Sequence, residues 1–274
     1  MLLRLTLRQP PPGRISLAGI VPDRLATMST AEIERLPLRW GRETPALGEF
    51  FSVAGTPGPH LVFEGMDARF CDAARGMAAG ECEIEGEAGD FVAAELAGGR
   101  VTVRGSVGAF AASGMRAGEL HVSGDAGERL GAALPWLAAG MQGGRVIVDG
   151  NAGARCGDKL RRGEILIGGD AGDFCAARMV AGTIAVAGRT GAHAGYGMRR
   201  GTLLLFGAGV ALSPTFVETA FVSEVYLRLL RRHWRASLGE GAFAARANEA
   251  AEWCGRRWLG DLASDGRGEI IVLA

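Results

Sequence analysis

The chain has 274 residues and a mass of 28.5 kDa, room for one large domain or two small ones. Thirty lysines and arginines balance thirty aspartates and glutamates, so the composition predicts no nucleic-acid partner, which would call for a basic surplus. With 48% hydrophobic and 22% charged residues it is globular, and no apolar run approaches the ~20 residues that span a bilayer, so no membrane contact is expected.

At the amino end, Arg4 and Arg8 interrupt the first apolar stretch, so a secretory signal is not expected. The five cysteines (Cys71, Cys82, Cys156, Cys175 and Cys254) are odd in number and lack a CxxC pair, which predicts reduced thiols and a cytoplasmic location. Residues 1–58 carry prolines at 10–12, 22, 37, 45 and 57. Strands over Leu2–Leu7 and Ile15–Ile20 and a helix over Thr30–Leu36 are expected. Ser29 or Thr30 would cap that helix, with Glu32 in its first turn. This segment reads as a small N-terminal α/β cap.

From residue 59 to 209 the glycines become periodic. The chain holds 44 of them, about 16% against a usual ~7%. Gly80, Gly99 and Gly118 stand 19 residues apart, as do Gly144, Gly163, Gly182 and Gly201; the step from 118 to 144 is 26 and holds a seven-residue insertion. The repeat is G-x5-G-x2-G-x10, and self-similarity at a fixed short period means a solenoid. Two and four places after the first glycine come aliphatic pairs such as Val101/Val103, Val146/Val148 and Ile184/Val186, alternating with mostly polar residues as in a half-buried strand. Met77, Leu96, Met115, Met141, Leu160, Met179 and Met198 share one phase. Methionine and leucine interchange there, as a packed interior tolerates, so the ladder reads as core and not as a metal or redox stack. Phe91, Phe110 and Phe174 suggest a second inward ladder, and Cys156 and Cys175 should stack as reduced core thiols. The predicted fold is all-β dominated: a right-handed parallel β-helix of about seven 19-residue coils, with glycines at corners that need positive φ or close stacking.

Residues 210–274 read as a C-terminal helical cap with a closing strand. Val217, Phe221, Val225, Leu229 and His233 recur every four residues, and Val222, Tyr226, Leu230 and Trp234 widen the stripe. Arg228, Arg231, Arg232 and Arg235 fall on the other side, giving an amphipathic helix whose basic face is either solvated or a docking surface for a partner or anionic ligand. A second helix is expected over 243–258 and a strand over Glu269–Leu273.

Catalytic chemistry needs groups that converge, and the pattern supplies few. His60, His121, His193 and His233 share no phase, and no HxH, HExxH, CxxC, GxSxG or Walker motif occurs. No metal or cofactor site is therefore expected in this chain. Carboxylates gather at the repeat corners as Glu87 and Asp90, Asp125 and Glu128, and Asp170 and Asp173. Spaced pairs of that kind would suit a stand-alone β-helix polysaccharide hydrolase or lyase, an alternative that requires activity from the isolated chain. The one long unit carries Leu134, Pro135, Trp136 and Leu137, an apolar bulge that reads as a partner contact or as a cap on the core.

The G-x5-G-x2-G repeats resemble the glycine-rich β-helix domain of the large glutamate synthase subunit. They also resemble the C-type subunits of formylmethanofuran dehydrogenase and of its bacterial relative, the formyltransferase/hydrolase complex. The ending RRWLGDLASDGRGEI (256–270) is similar to that family's ending, and GIVPDRLATMSTAEIERLPLRWGRETPALGEFFSVAG (19–55) is similar to the opening segment of the C-type subunits. Lys159 is the only lysine among the 30 basic residues, which with the high alanine content suggests a GC-rich bacterial genome and the bacterial complex. The resemblance implies a non-catalytic scaffold subunit in one-carbon metabolism (formaldehyde oxidation in methylotrophs). The complex would pass a formyl group from formyl-tetrahydromethanopterin to a methanofuran-type carrier and hydrolyse it to formate. It implies a hetero-oligomer with a formyltransferase subunit, an amidohydrolase-like subunit expected to hold zinc, and a further subunit. Leu134, Trp136, Leu137, Arg228, Arg231, Arg232 and Arg235 are the candidate partner contacts. The C-type subunit of a molybdenum or tungsten formylmethanofuran dehydrogenase, or a separate glutamate-synthase-type domain with flavin and iron–sulfur partners, are the alternatives within the resemblance.

Overall fold

The aliphatic pairs that follow each repeat glycine form strands, and those strands stack in register. The computed structural model describes residues 1–207, 212–221, 224–249 and 253–273. Its strands are β1 (Leu2–Leu7), β2 (Ile15–Ser16), β3 (Phe51–Gly55), β4 (His60–Met66), β5 (Phe70–Cys71), β6 (Glu81–Gly86), β7 (Arg100–Val103) and β8 (Glu119–Val122). They continue as β9 (Gln142–Val148), β10 (Arg162–Ile167), β11 (Thr183–Val186), β12 (Thr202–Leu205), β13 (Val217–Phe221), β14 (Gly255–Gly260) and β15 (Gly268–Leu273). The helices are α1 (Pro22–Leu25), α2 (Thr30–Glu34), α3 (Leu47–Phe50), α4 (Glu224–Ser237) and α5 (Ala242–Glu249). Thirteen strands make one mostly parallel sheet, ordered β13-β14-β15-β12-β11-β10-β9-β8-β7-β6-β4-β1-β3, so the fold is sheet-dominated with few helices.

Hydrophobic burial and charge pairing fix the same register. Leu3, Leu61, Cys82, Val101, Leu120, Val146, Ile165, Ile184, Leu203 and Ile270 lie on successive strands, and none is more than 2% exposed. A slip by one residue would turn this whole row outward. The preceding outward position reads His60, Glu81, Arg100, Glu119, Arg145, Glu164 along successive strands. His60 Nδ1 lies 2.9 Å from Glu81 Oε2, and ion pairs join Arg100 Nε to Glu119 Oε1 (3.3 Å) and Arg145 Nη2 to Glu164 Oε2 (2.8 Å). The methionine and leucine ladder from Met77 to Met198 is fully buried, as core packing predicts. Cys156 and Cys175 are buried free thiols.

The phenylalanine ladder faces outward, contrary to the sequence expectation. Phe91, Phe110 and Phe174 are half-buried, and the fully buried places belong to the following residues, Val92, Ala111 and Cys175. The cause is backbone conformation: Phe91, Phe110 and Phe174 have φ of 64°, 62° and 58°, in the left-handed region. Hydrogen bonds between repeats hold them there, such as Phe91 N to Ala109 O (2.8 Å) and Phe174 N to Ala192 O (2.8 Å). Outside, Phe91 stacks on Phe110 with centroids 5.2 Å apart and Phe174 on His193 at 4.8 Å. Guanidinium groups of Arg129 and Arg155 sit over Phe110 and Phe174 at 5.4 and 4.9 Å, within cation–π range.

At the amino end, β1 pairs parallel with β4 and antiparallel with β3. Ser29 caps α2 in a capping box with Glu32, as the sequence indicates. The expected strand over Ile15–Ile20 is only Ile15–Ser16, because Leu17 and Ile20 close a turn through Ile20 N to Leu17 O (3.0 Å).

The C-terminal segment departs most from expectation. Val217–Phe221 is a strand and not helix, and of the second expected helix Ala242–Glu249 is helical while 255–260 form β14 antiparallel to β15. Strand pairing overrides helical spacing here, since β14 satisfies one edge of β15 while β12 satisfies the other. Val222 lies outside the described residues. On α4, Trp234 of the anticipated stripe is buried and Leu230 half-buried, whereas Val225 and Leu229 are 62% and 60% exposed and Leu227, outside the stripe, is buried, so the buried face is rotated from the expected one. The helix instead packs on the outward face of the sheet. That outward position reads Glu83, Thr102, His121, Ile147, Leu166, Ala185, Leu204 and Ile271, turning from polar to apolar at Ile147. Leu166, Ala185, Leu204 and Ile271 form a second core with Leu227, Trp234, Phe243 and Trp253.

Candidate partner-binding surfaces

The insertion divides its side chains between core and surface. Leu134 is 1% exposed, Trp136 is 61% exposed, and Leu137 is half-buried. Leu137 N donates to Leu134 O (2.8 Å), and the flanks are tied to the next repeat through Ala133 N to Asp158 O (3.1 Å) and Gly140 N to Lys159 O (3.0 Å). The backbone is thus anchored on both sides while the indole faces solvent.

The four arginines of α4 are not equivalent. Arg228, Arg232 and Arg235 are exposed, whereas Arg231 is half-buried with its guanidinium 6.0 Å from the centroid of Trp253. Arg235 Nε donates to Asn248 Oδ1 (2.6 Å), linking α4 to α5. The exposed face of α4 therefore combines Val225 and Leu229 with basic side chains, a mixed surface where a purely basic one was expected.

A cleft of about 290 Å³ opens between the outward face of β7–β9 and the loop joining α4 to α5. Its charged lining is Arg100, Arg104, Glu119, His121, Asp149 and Glu240. His121 Nε2 lies 2.9 Å from Asp149 Oδ2, and Arg104 Nη2 donates to Glu83 Oε1 at 2.6 Å. Beside it, Arg145 donates to Ser237 O (3.3 Å), contacts His233 Nε2 (2.9 Å) and pairs with Glu164, whose other oxygen accepts from Trp234 Nε1 (3.3 Å). Thr102 and Ser237 supply the hydroxyls of the lining, and His121 makes no hydrogen bond to either among the described residues. His121 and Asp149 pair across the outward face of the sheet, and Asp149 Oδ1 also accepts from Ala242 N (2.9 Å) at the start of α5. Sequence pattern alone does not reveal the pair, because its members stand on different outward positions of adjacent strands.

Four of the six corner carboxylates bind the backbone of the next repeat. Asp90 Oδ1 accepts from Ala109 N (2.9 Å), Asp125 Oδ1 from Asn151 N (2.6 Å), Asp170 Oδ1 from Arg189 N (2.7 Å) and Asp173 Oδ1 from Ala192 N (2.7 Å). Ser106 and Asn151 act likewise at their own corners, toward Asp125 N (3.0 Å) and Asp170 N (2.8 Å). Each such side chain satisfies a turn N–H of the next repeat, which is a structural use. Among the described residues no group of three or more His, Cys, Asp or Glu is placed to hold a metal ion, and no helix is long and apolar enough to cross a membrane.

No family model and no curated protein matches the chain. Among solved structures, it is similar to a chain of the formyltransferase/hydrolase complex (FhcABCD) from Methylorubrum extorquens in complex with methylofuran. The two are 39% identical, the match covers 99% of this chain and 99% of that chain, and the TM-score is 0.90. This chain belongs to that formyltransferase/hydrolase-complex family. The family assignment agrees with the resemblance read from the repeats and both ends of the sequence, and it does not favour the dehydrogenase or hydrolase alternatives.

Proposed function

We propose that this chain is the C-type subunit of a formyltransferase/hydrolase complex, a non-catalytic scaffold whose 19-residue repeats wind as a right-handed parallel β-helix. In this reading residues 1–58 cap one end, 59–209 form the rod and 210–274 cap the other. The observation that carries the proposal is the end-to-end similarity to a chain of a complex solved with methylofuran. Further support comes from the corner aspartates, whose bonds to turn N–H groups leave none of the three corner pairs with both carboxylates free of the backbone.

The scaffold holds a formyltransferase subunit and a zinc-bearing amidohydrolase-like subunit in fixed relation within a cytoplasmic hetero-oligomer. A methanofuran-type carrier, loaded from formyl-tetrahydromethanopterin, then delivers its formyl group at high effective concentration without diffusing away. Trp136, Leu137 and the α4 arginines (Arg228, Arg231, Arg232 and Arg235) are the proposed contacts, while Leu134, expected as a contact, is buried in the core. Interfaces draw most of their energy from such aromatic and arginine anchors.

Reconstitution tests the role. The complex with this chain is expected to turn formyl-tetrahydromethanopterin into formate, while the chain alone catalyses neither transfer nor hydrolysis. Full coupled flux from the other subunits without this chain would overturn the proposal.

A further inference from the structure

A row of arginines runs along one edge of the sheet, at the turns that lead into the strands. One and two places after the buried methionine or leucine of alternate repeats stand Arg116, then Arg161 and Arg162, then Arg199 and Arg200. Arg267 joins the row beyond Arg199 through its N–H to Arg199 O (2.7 Å). All six side chains are exposed, and among the described residues none is within ion-pair distance of a carboxylate. The outward charged row from His60 to Glu164 is, by contrast, internally paired. The remaining residues at these turns (Ala78, Ala79, Ala97, Gly98, Ala117, Gln142, Gly143, Val180 and Ala181) are uncharged. The carboxylates at the strand entries are already engaged, Glu81, Glu119 and Glu164 by His60, Arg100 and Arg145 and Glu269 by Thr202 Oγ1 (2.6 Å). Glu87, Asp90, Asp125, Glu128, Asp170 and Asp173 gather at the far end of the strands. A chain of zero net charge thus carries an unneutralised cationic strip.

The spacing of the strip is regular. The arginines precede β8, β10 and β12 and end at β15, so they fall on alternate strands before the last step. At ~4.8 Å per strand the charged steps are ~10 Å, and the strip is ~24 Å long. Seven residues of a helix rise ~10.5 Å and return to the same face, which matches these steps. Val180, 38% exposed, lies between the two arginine pairs and offers an apolar contact.

We propose that this strip docks an acidic segment of a partner subunit, lying along the strand-stacking direction with carboxylates repeating every ~10 Å. Arginine suits the role because its planar fork binds carboxylates in pairs. The proposal rests on the reading that this chain works inside a complex. It is distinct from the Trp136 and α4 contacts.

The test uses the assembled complex from its host. Arg161→Glu/Arg162→Glu and Arg199→Glu/Arg200→Glu chains, checked for unchanged thermal unfolding, are compared with wild type for dissociation against NaCl by native mass spectrometry. About tenfold weaker association and a shallower salt dependence are expected. The milder Arg161→Gln/Arg162→Gln chain should fall between. Separately, Arg162→Cys in a Cys254→Ser background, carrying a benzophenone maleimide, should cross-link to a partner peptide with acidic residues seven apart on a helix. Wild-type salt sensitivity in the reversed chains, or cross-links only to nucleic acid or to a second copy of this chain, would overturn the proposal. A wild-type chain that recovers no partners at all would instead defeat the complex reading beneath it.

Discussion

Asp149 holds two parts of the molecule at once: Oδ2 meets His121 Nε2 at 2.9 Å, and Oδ1 accepts from Ala242 N, the first residue of α5, also at 2.9 Å. One side chain on the sheet thereby serves both the outward histidine and a helix start whose N–H groups have no partner within the helix. Asp149→Ala is expected to destabilise the C-terminal cap by about 1–3 kcal/mol. Asp149→Asn keeps an acceptor for Ala242 and should lose less. Hydrogen exchange over 242–249 checks this: faster exchange there with unchanged exchange in β6–β8 is the expected pattern.

The insertion separates packing from docking at neighbouring residues. Leu134→Ala removes a buried side chain and should lower stability by about 2–4 kcal/mol. Trp136→Ala removes an exposed one and should leave the melting temperature nearly unchanged while weakening assembly. Equal melting losses for both variants, or full assembly of Trp136→Ala, would count against this division.

Gly163, at φ +102°, begins the repeat on β10, and a Cβ there would lie 2.6 Å from Gly144 O of the neighbouring repeat. Gly163→Ala therefore meets both backbone strain and a backbone clash, with an expected loss of about 1–3 kcal/mol. Gly239, between α4 and α5, has nothing within 4 Å of its added Cβ, so Gly239→Ala should be close to neutral. Denaturant unfolding of the two variants gives the contrast.

Thiol chemistry follows burial. Burial pushes Cys82 up to about 12, and the hydrogen bond with Cys175, followed by burial, raises Cys156. Cys254 is exposed, and the other four cysteines are buried. Maleimide at neutral pH should label one thiol rapidly in the folded chain and all five after denaturation.

Acid should loosen the C-terminal closure. Burial raises the Asp261 carboxyl, but hydrogen bonds from Thr215, Gly197 N and Ala263 N outweigh it, and the net shift is downward. A folded value below the unfolded one means that its stabilisation is present above the ordinary carboxylate range and is lost as pH falls through the folded value. Asp261→Asn should flatten the acid limb of the stability curve; an unchanged limb would show that other carboxylates govern it.

The repeat is legible in the sequence because one backbone geometry recurs: glycine marks the turn into each strand, and the aliphatic pair marks its buried side. The covering of the sheet leaves a trace too, in the change from Glu83, Thr102 and His121 to Ile147, Leu166, Ala185 and Leu204, though alternation alone marks that position only as variable. Left-handed φ at Phe91, Phe110 and Phe174 has no local signature, because bonds between repeats impose it. The buried face of α4 is legible only in part, at Leu230 and Trp234, because Val225 and Leu229 fit helical spacing as well as Leu227 does. Only the apolar patch beneath the helix decides between them. The His121–Asp149 pair and the arginine strip require the strand register before their members become neighbours.

The most direct test of the scaffold account is to tag this chain in its host, purify it gently, weigh the particle and identify the chains that come with it. The account predicts stoichiometric recovery with a formyltransferase and an amidohydrolase-like subunit, with zinc and without molybdenum, tungsten or flavin. A homogeneous particle made of this chain alone would contradict it.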